Sequence, residues 1–196
     1  MILPIVAYGD PVLKKVANAI AADYPNLESL IENMWETMYH AHGVGLAAPQ
    51  IGLSIRLFVI DATPFADDED LTAAEQAALK DFKAVFINAT ITEEIGEEWF
   101  FNEGCLSIPD VREDVLRKPK IAITYQDETF KTHTKTFEGL VARVIQHEYD
   151  HIEGILFTDK LSSLKKRILK GRLSNISKGK ISTEYRMRFP EMKKGR

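Results

Sequence analysis

The feature that most constrains this chain is a pair of histidines four residues apart, His147 and His151, with Glu148 directly after the first. Positions i and i+4 share one face of an α-helix, so a helix would direct both imidazoles toward a single metal ion. Glu148 would then lie beside the open coordination position, where it can take a proton from water. The spacing predicts a helix that carries a metal-dependent hydrolytic site. The alternative is an exposed helix face with two solvated histidines.

A catalytic site of this kind needs a third protein ligand. The metalloprotease pattern with a later histidine is excluded, because apolar residues follow Gly154. A downstream glutamate fits poorly, because residues 160–183 contain no acidic side chain. Upstream lies Cys105, the single cysteine of the chain. A lone cysteine is more often a small buried hydrophobe, but this thiolate would complete a set of two histidines and one cysteine.

Length and composition indicate one globular domain without disulfides. The chain has 196 residues, of which 45% are hydrophobic and 28% are charged. No apolar run approaches the roughly 20 residues that cross a bilayer, and the N-terminus lacks the pattern of a secretory signal. We therefore expect a cytoplasmic protein without a membrane segment.

Charge is distributed unevenly along the chain. Residues 160–196 hold 13 basic and 2 acidic residues, a balance of +11, whereas the rest holds 12 basic and 27 acidic residues, a balance of −15. A basic segment beside an acidic body suggests contact with a polyanion, although a solvated tail has the same composition. We divide the chain into a catalytic domain, 1–173, and a basic C-terminal tail, 174–196.

Hydrophobic periodicity predicts an α+β fold, with strands around one embedded helix. Helices are predicted at about 26–41, at about 138–153 and after Phe157, where Leu161, Leu164, Ile168 and Leu169 would form the apolar side. Strands are predicted at 55–60, 85–91 and 121–125. The acidic stretch 67–75 is predicted to be a surface excursion with a short helix.

Three segments, in order, resemble the signatures of the peptide deformylases. They are Gly43 to Gln50 (GVGLAAPQ), Glu103 to Ser107 (EGCLS) and Gln146 to His151 (QHEYDH). The resemblance runs from Pro4 to Phe157, and it gives no guidance for the acidic insertion or the tail. It implies a deformylase-like fold, with antiparallel strands around a central metal-binding helix and a further helix near the C-terminus.

The resemblance also implies a reaction, the removal of the N-formyl group from the N-terminal formylmethionine of nascent proteins, with release of formate. Cys105, His147 and His151 would hold one divalent ion, Fe2+ in most of the family, with Zn2+ or Ni2+ as substitutes. The ion would lower the pKa of a bound water toward 7 from 15.7. Glu148 would act as general base and then protonate the leaving amine.

The remaining site residues are also carried over from the resemblance. The side-chain amide of Gln50 and the backbone N–H of Leu106 would stabilise the charge that develops on the formyl oxygen, although Gln50 is equally suited to capping a turn. The expected substrate-binding residues are Gly43, Val44, Gly45, Glu103, Gly104, Arg112 and Val144. Near them, the head group of Arg143 is expected to reach Glu103 or solvent, and Asp150 to orient a ligand or a basic neighbour.

Two other functions compete with this interpretation. A zinc endopeptidase with a different third ligand would cleave unformylated peptides and would tolerate Cys105→Ser. A basic-tailed nucleic-acid-binding module would leave the metal-site pattern unexplained. The basic segment also suggests a role within the first interpretation, because Lys165, Lys166, Arg167 and Lys170 could recruit the enzyme to the ribosome, whose surface is rich in RNA.

Overall fold

The computed structural model describes residues 1–190, so the last six residues of the predicted tail lie outside the described residues. The described part contains four α-helices and nine strands. In order, they are β1 (Ile5–Val6), α1 (Leu27–His40), β2 (Gly45–Ala47), β3 (Leu57–Asp61), α2 (Ala73–Leu79), β4 (Lys83–Ile95), β5 (Trp99–Cys105), β6 (Ile108–Arg117), β7 (Lys120–Gln126), β8 (Thr132–Glu138), α3 (Gly139–Ile152), α4 (Ser163–Ser177) and β9 (Met187–Arg188). Within this part, no helix has the length and apolar character that a membrane crossing requires.

The main sheet is antiparallel, with strand order β2-β3-β4-β7-β8. All five residues of β3 are buried, because alternate side chains pack on opposite faces of the sheet. Phe58 belongs to the core cluster that includes Ile145 of α3, whereas Leu57 belongs to the cluster that includes Met34 of α1. The catalytic-motif helix α3 is therefore embedded against one face of the sheet, as the sequence predicted.

A separate hairpin, formed by β5 and β6, lies next to the part of α3 that carries the two histidines. Cys105 pairs with Ile108, so only Leu106 and Ser107 form the connecting turn. The alternation of β6 directs Val111, Val115 and Arg117 inward, all of them almost fully buried. This hairpin places the single cysteine at the end of a strand, directly above the helix with the two histidines.

The C-terminal helix is present, but its predicted apolar side is only partly correct. Leu161 is buried, whereas Leu164 and Ile168 are 66% and 70% exposed. Leu169, also predicted, is partly buried against the same core cluster as Leu173 and Ile176, the buried apolar residues near the C-terminal end of α4. Apolar residues alone do not determine which side of a helix packs, because the neighbouring surface must also be available.

The chain beyond α4 returns to the domain. Residue 174, the predicted start of the tail, lies inside α4, which continues to Ser177. Strand β9 then pairs in parallel with β1, and its register aligns Ile5 with Met187. Up to residue 190 the C-terminal segment is therefore part of the folded structure.

The other predicted elements are confirmed with small shifts at their ends. The first helix has Asn26 as N-cap and Ala41 as C-cap, and the three predicted strands coincide with β3, β4 and β7. The acidic insertion contains the expected short helix, α2, which begins with a capping box between Thr72 and Glu75. The sequence did not predict the remaining six strands, most of which are short or rich in polar residues.

Candidate metal centre and active-site pocket

Three side chains with metal-binding atoms converge where the hairpin meets α3. Cys105 comes from the end of β5, and His147 and His151 come from successive turns of α3. One ligand atom from each residue lies within 4.8 Å of the other two. The Cys105 Sγ is 3.3 Å from His151 Nε2, and the two imidazole centroids are 5.2 Å apart. One thiol and two imidazoles thus face a common point, a donor set that suits a transition-metal ion.

Glu103 fixes the orientation of the first histidine. Its Oε2 lies 2.9 Å from His147 Nδ1, which leaves the Nε2 atom of that ring for a metal. Burial alone would raise the pKa of Glu103, but hydrogen bonds from His147 and Arg117 hold it well below its usual range. Glu103 is therefore an ionised acceptor for the N–H at His147 Nδ1.

Two buried arginines neutralise the carboxylates behind the metal-site residues. Arg117 donates to Glu103 through Nε at 2.7 Å and Nη2 at 2.9 Å, and its Nη1 donates to Asp150 at 2.6 Å. Arg143 donates to Glu103 at 3.0 Å and lies over the Trp99 ring, 4.5 Å from its centroid. The expectations that Arg143 reaches Glu103 and that Asp150 orients a basic neighbour are both met by these contacts. Each charge has a partner, as buried charges require.

Glu148 belongs to α3, and its carboxylate lies against Gly45 of strand β2. A Cβ atom added to Gly45 would overlap the Glu148 carboxylate, so only glycine permits this close approach. Glu148 is 4% exposed, and its Oε2 has no hydrogen-bond partner among residues 1–190. Burial raises the pKa of Glu148 to about 7, although the nearby His147 opposes the shift. A carboxylate in this position is poised to exchange a proton with a group in the pocket.

The two ends of the Gln50 amide make separate contacts. It lies in a 3-10 turn, Ala48–Ile51, and its Oε1 accepts a 2.8 Å hydrogen bond from the Ala47 N–H, which caps the turn. Its Nε2 is directed the other way, 3.5 Å from Cys105 Sγ and 3.4 Å from Ser107 Oγ. The capping bond therefore holds the amide donor beside the cysteine.

A cavity of about 510 Å³ opens above the metal-site residues. Twelve of the thirteen residues expected in the site line this cavity, and the thirteenth, His151, is buried next to Cys105. The twelve are Gly43, Val44, Gly45, Gln50, Glu103, Gly104, Cys105, Leu106, Arg112, Val144, His147 and Glu148. At the rim, Arg112 donates to the Asn102 side chain at 2.8 Å and to its carbonyl at 2.7 Å. The fold thus gathers residues that are up to 108 positions apart in the chain.

Several residues at the site were not identified from the sequence. Phe65, Phe101 and Tyr185 also line the cavity, and Arg117 supports it from behind. A signal existed only for Arg117, because strand alternation places it on the same face as Val115, where a charge needs a partner. Tyr185 lies 79 residues from its contact Leu106, so local patterns carry no information about it.

Comparisons with known proteins agree with this geometry. Residues 2–167 match the family model described as polypeptide deformylase. Curated peptide deformylases from Christiangramia forsetii and Flavobacterium johnsoniae are 69% and 68% identical over 196 residues, and each alignment covers 100% of both chains. The crystal structure of a peptide deformylase from Legionella pneumophila is 37% identical and superposes with a TM-score of 0.76, covering 92% of this chain and 98% of that one.

Proposed function

Because the chain belongs to the polypeptide deformylase family, we propose that the pocket above Cys105, His147 and His151 is the catalytic centre for N-terminal deformylation. The protein is a metal-dependent hydrolase that removes the formyl group from the N-terminal formylmethionine of newly made proteins and releases formate. The observation that carries the residue assignment is the convergence of one thiol and two imidazoles beside the buried Glu148.

The metal would be held by Cys105 Sγ and by the two histidine rings, with the Glu103 carboxylate keeping His147 Nδ1 occupied. When bound, the ion supplies an activated water and a positive charge beside the formyl oxygen. We assign Fe2+ from the family, and Zn2+ and Ni2+ fit the same donors. Both Glu103 oxygens are engaged by arginine and histidine donors, so its role in this proposal is to position His147 rather than to contact the peptide.

Glu148 is the proton carrier. Its unpartnered Oε2 can accept a proton from the attacking water and return it to the amine that leaves when the C–N bond of the formyl group breaks. Gln50 Nε2 lies 3.5 Å from Cys105 Sγ. The other donor, the backbone N–H of Leu106, belongs to the residue that directly follows Cys105 in the sequence. Together they would donate to the formyl oxygen as its charge increases.

The peptide would bind along β2, which is an edge strand of the main sheet. An extended peptide can add to such an edge through main-chain hydrogen bonds. Gly43 and Gly45 bring this strand close to the site, since a side chain at Gly43 would meet Leu106 and one at Gly45 would overlap Glu148. Val144 and the adjacent Phe101 offer an apolar wall for the methionine side chain, while Gly104 and Arg112 lie where the rest of the peptide would leave the pocket.

Formate release from a formyl-Met tripeptide tests the assignment. The wild-type protein, loaded with Fe2+ without oxygen, should release formate, and Cys105→Ser should lose both the metal and the activity. A peptidase with another third ligand would instead keep its metal in Cys105→Ser and would cleave the unformylated peptide internally. Metal content measured on the same samples separates these outcomes.

We further propose that α4 recruits the enzyme to ribosomal RNA in the cytoplasm. Lys165 forms an ion pair with Glu113 at 2.6 Å, and Lys166 Nζ donates to the Asp159 carbonyl at 2.6 Å. The cations best placed to contact RNA are therefore Arg167, Lys170 and Arg172, which are all exposed. Electrostatic contacts of this kind weaken as salt concentration rises.

Ribosome co-sedimentation tests this second proposal. The triple variant Arg167→Gln, Lys170→Gln, Arg172→Gln should bind less than the wild type at low salt and should lose the salt dependence. Truncation at residue 174 is unsuitable, because it would cut α4 and remove β9. Equal binding of variant and wild type would exclude α4 as the contact surface.

A further inference from the structure

The turn between β5 and β6 accepts hydrogen bonds from one residue near the N-terminus and from one residue that follows α4. Leu106 and Ser107 connect Cys105 to Ile108, and both of their carbonyl groups accept hydrogen bonds from outside the hairpin. The Tyr8 backbone N–H donates to the Ser107 carbonyl at 2.8 Å. The Tyr185 hydroxyl donates to the Leu106 carbonyl at 2.8 Å.

Both donors are delivered by the same pair of strands. The Ile5 N–H donates to the Arg186 carbonyl at 2.9 Å, and the Ala7 N–H donates to the Arg188 carbonyl at 2.9 Å. Only Ala7 separates Tyr8 from the end of β1, and only Arg186 separates Tyr185 from the start of β9. The parallel pairing of β1 with β9 therefore fixes the two donors relative to each other and to the turn.

The turn they hold carries two groups assigned to catalysis. Cys105 enters it as a metal ligand, and the Leu106 N–H is the proposed donor to the formyl oxygen. A two-residue turn can change the orientation of its central peptide by rotation about the adjacent bonds. The central peptide joins the Leu106 carbonyl to the Ser107 N–H, whereas the Leu106 N–H belongs to the preceding peptide, on the other side of the Leu106 Cα. Anchoring the Leu106 carbonyl therefore acts on the N–H by restricting how far Leu106 itself can shift or rotate. This matters because a useful donor must stay within about 0.5 Å and 10 to 20° of its working geometry.

We propose that Tyr185 is a positioning residue for deformylation, which orients the Leu106 N–H through its hydrogen bond to the Leu106 carbonyl. This inference rests on the proposed role of that N–H. The Tyr185 ring also packs against the same core cluster as Leu106 and lines the cavity, so it forms part of the wall that the substrate meets. The C-terminal segment after α4 thereby completes the active site.

Two substitutions separate the hydroxyl from the ring. Tyr185→Phe removes only the hydrogen bond, so kcat should fall about tenfold while KM changes less than about twofold, because the donor acts on the developing charge rather than on the bound substrate. Tyr185→Leu also removes the ring from the cavity wall, so its KM should rise as well. Hydrogen exchange in a peptide that spans residues 103–109 should accelerate in both variants, whereas a peptide from β4 should exchange as in the wild type.

A matched control removes a hydroxyl hydrogen bond elsewhere. Thr124 and Thr134 share a 3.0 Å hydroxyl contact between β7 and β8, and neither residue lines the cavity. Thr124→Val should keep the wild-type kcat. A purely structural role would be indicated if Tyr185→Phe lost activity only in proportion to bound metal or folded protein, or if it kept the wild-type kcat, and either result would overturn the proposal.

The parallel variant Gln50→Leu identifies where a failure originates. If the N–H and amide donors act as proposed, this variant should lose roughly two orders of magnitude in kcat, since one such donor contributes about 3 to 4 kcal/mol. Full activity of Gln50→Leu would contradict the proposed donor pair itself, and the inference about Tyr185 would fall with it. A large loss in Gln50→Leu together with no loss in Tyr185→Phe would overturn the inference about Tyr185 alone.

Discussion

Helices α3 and α4 have almost the same length but differ greatly in how many of their residues are buried. Eleven of the 14 residues of α3 are buried, including Arg143, Glu148 and Asp150, whereas only three of the 15 residues of α4 are buried. In α3 the buried charges have specific partners, with the exception of Glu148, whose Oε2 has none among the described residues. In α4 four of the five charged residues are exposed, and Ile168 is 70% exposed. The comparison indicates that burial holds the charged residues of α3 in defined positions, where they can take part in a reaction. The exposed charged residues of α4 are available only for contacts at the surface.

The largest effect should come from Glu148, whose buried Oε2 has no hydrogen-bond partner among residues 1–190. Glu148→Gln keeps the shape of the side chain but cannot carry the proton, so kcat should fall by roughly three orders of magnitude. Formate release measures the rate, and metal analysis checks that the site is loaded. A variant with bound metal and more than a tenth of the wild-type kcat would contradict the assigned role.

Ion pairs should differ strongly between the two regions. Arg117→Met leaves Glu103 and Asp150 buried without their shared partner and should lower the free energy of unfolding by about 3 to 5 kcal/mol. Lys165→Met breaks the pair between α4 and Glu113, which is more exposed, and should cost less than about 1 kcal/mol. Urea titrations of both variants test the contrast. Equal losses would mean that burial does not distinguish these pairs.

The same residue type should also differ between the helices. Ile145 of α3 is fully buried, so Ile145→Ala should lower the free energy of unfolding by about 2 to 5 kcal/mol. Ile168→Ala on α4 removes an exposed side chain and should change it by less than about 0.5 kcal/mol. Thermal and urea unfolding provide the measurement. A loss above 1 kcal/mol in Ile168→Ala would show that α4 packs against more of the domain.

The smallest expected effect is on the catalytic activity of the triple variant of α4. The triple substitution at Arg167, Lys170 and Arg172 should leave kcat/KM for a free formyl-Met tripeptide within about twofold of the wild type, because the exposed charges lie outside the cavity. Steady-state formate release at moderate salt is the measurement. A larger loss would link α4 to the catalytic site and would weaken the contrast with α3.

Local spacing accounts for most of what the sequence predicted at the site. The separation of His147 and His151 predicts one helix face because backbone geometry fixes that periodicity. The elimination of other third ligands, together with the resemblance, singled out Cys105, which lies 3.3 Å from His151. Gln50 was left with two alternative roles, and its oxygen and nitrogen perform separate contacts in the structure.

Long-range contacts account for what could not be predicted. The sequence predicted an apolar side for α4 that included Leu164, but the surface that receives α4 contacts Leu173 and Ile176 instead. Glu103 was expected to bind substrate, which stays a prediction, and the sequence did not predict that its oxygens accept hydrogen bonds from two other elements. These outcomes depend on which strands become neighbours, and no local pattern contains that information.

The sequence by itself determined the helix that carries the two histidines and the order of the three signature segments, because residue type and short-range periodicity specify them, and the resemblance added Cys105 as the expected third ligand. Only the tertiary structure decided that Arg117 joins Glu103 to Asp150 and that Tyr185 holds the turn at Leu106. The physical reason is distance along the chain: contacts across 33 and 79 residues form only when the strands and α3 have packed together.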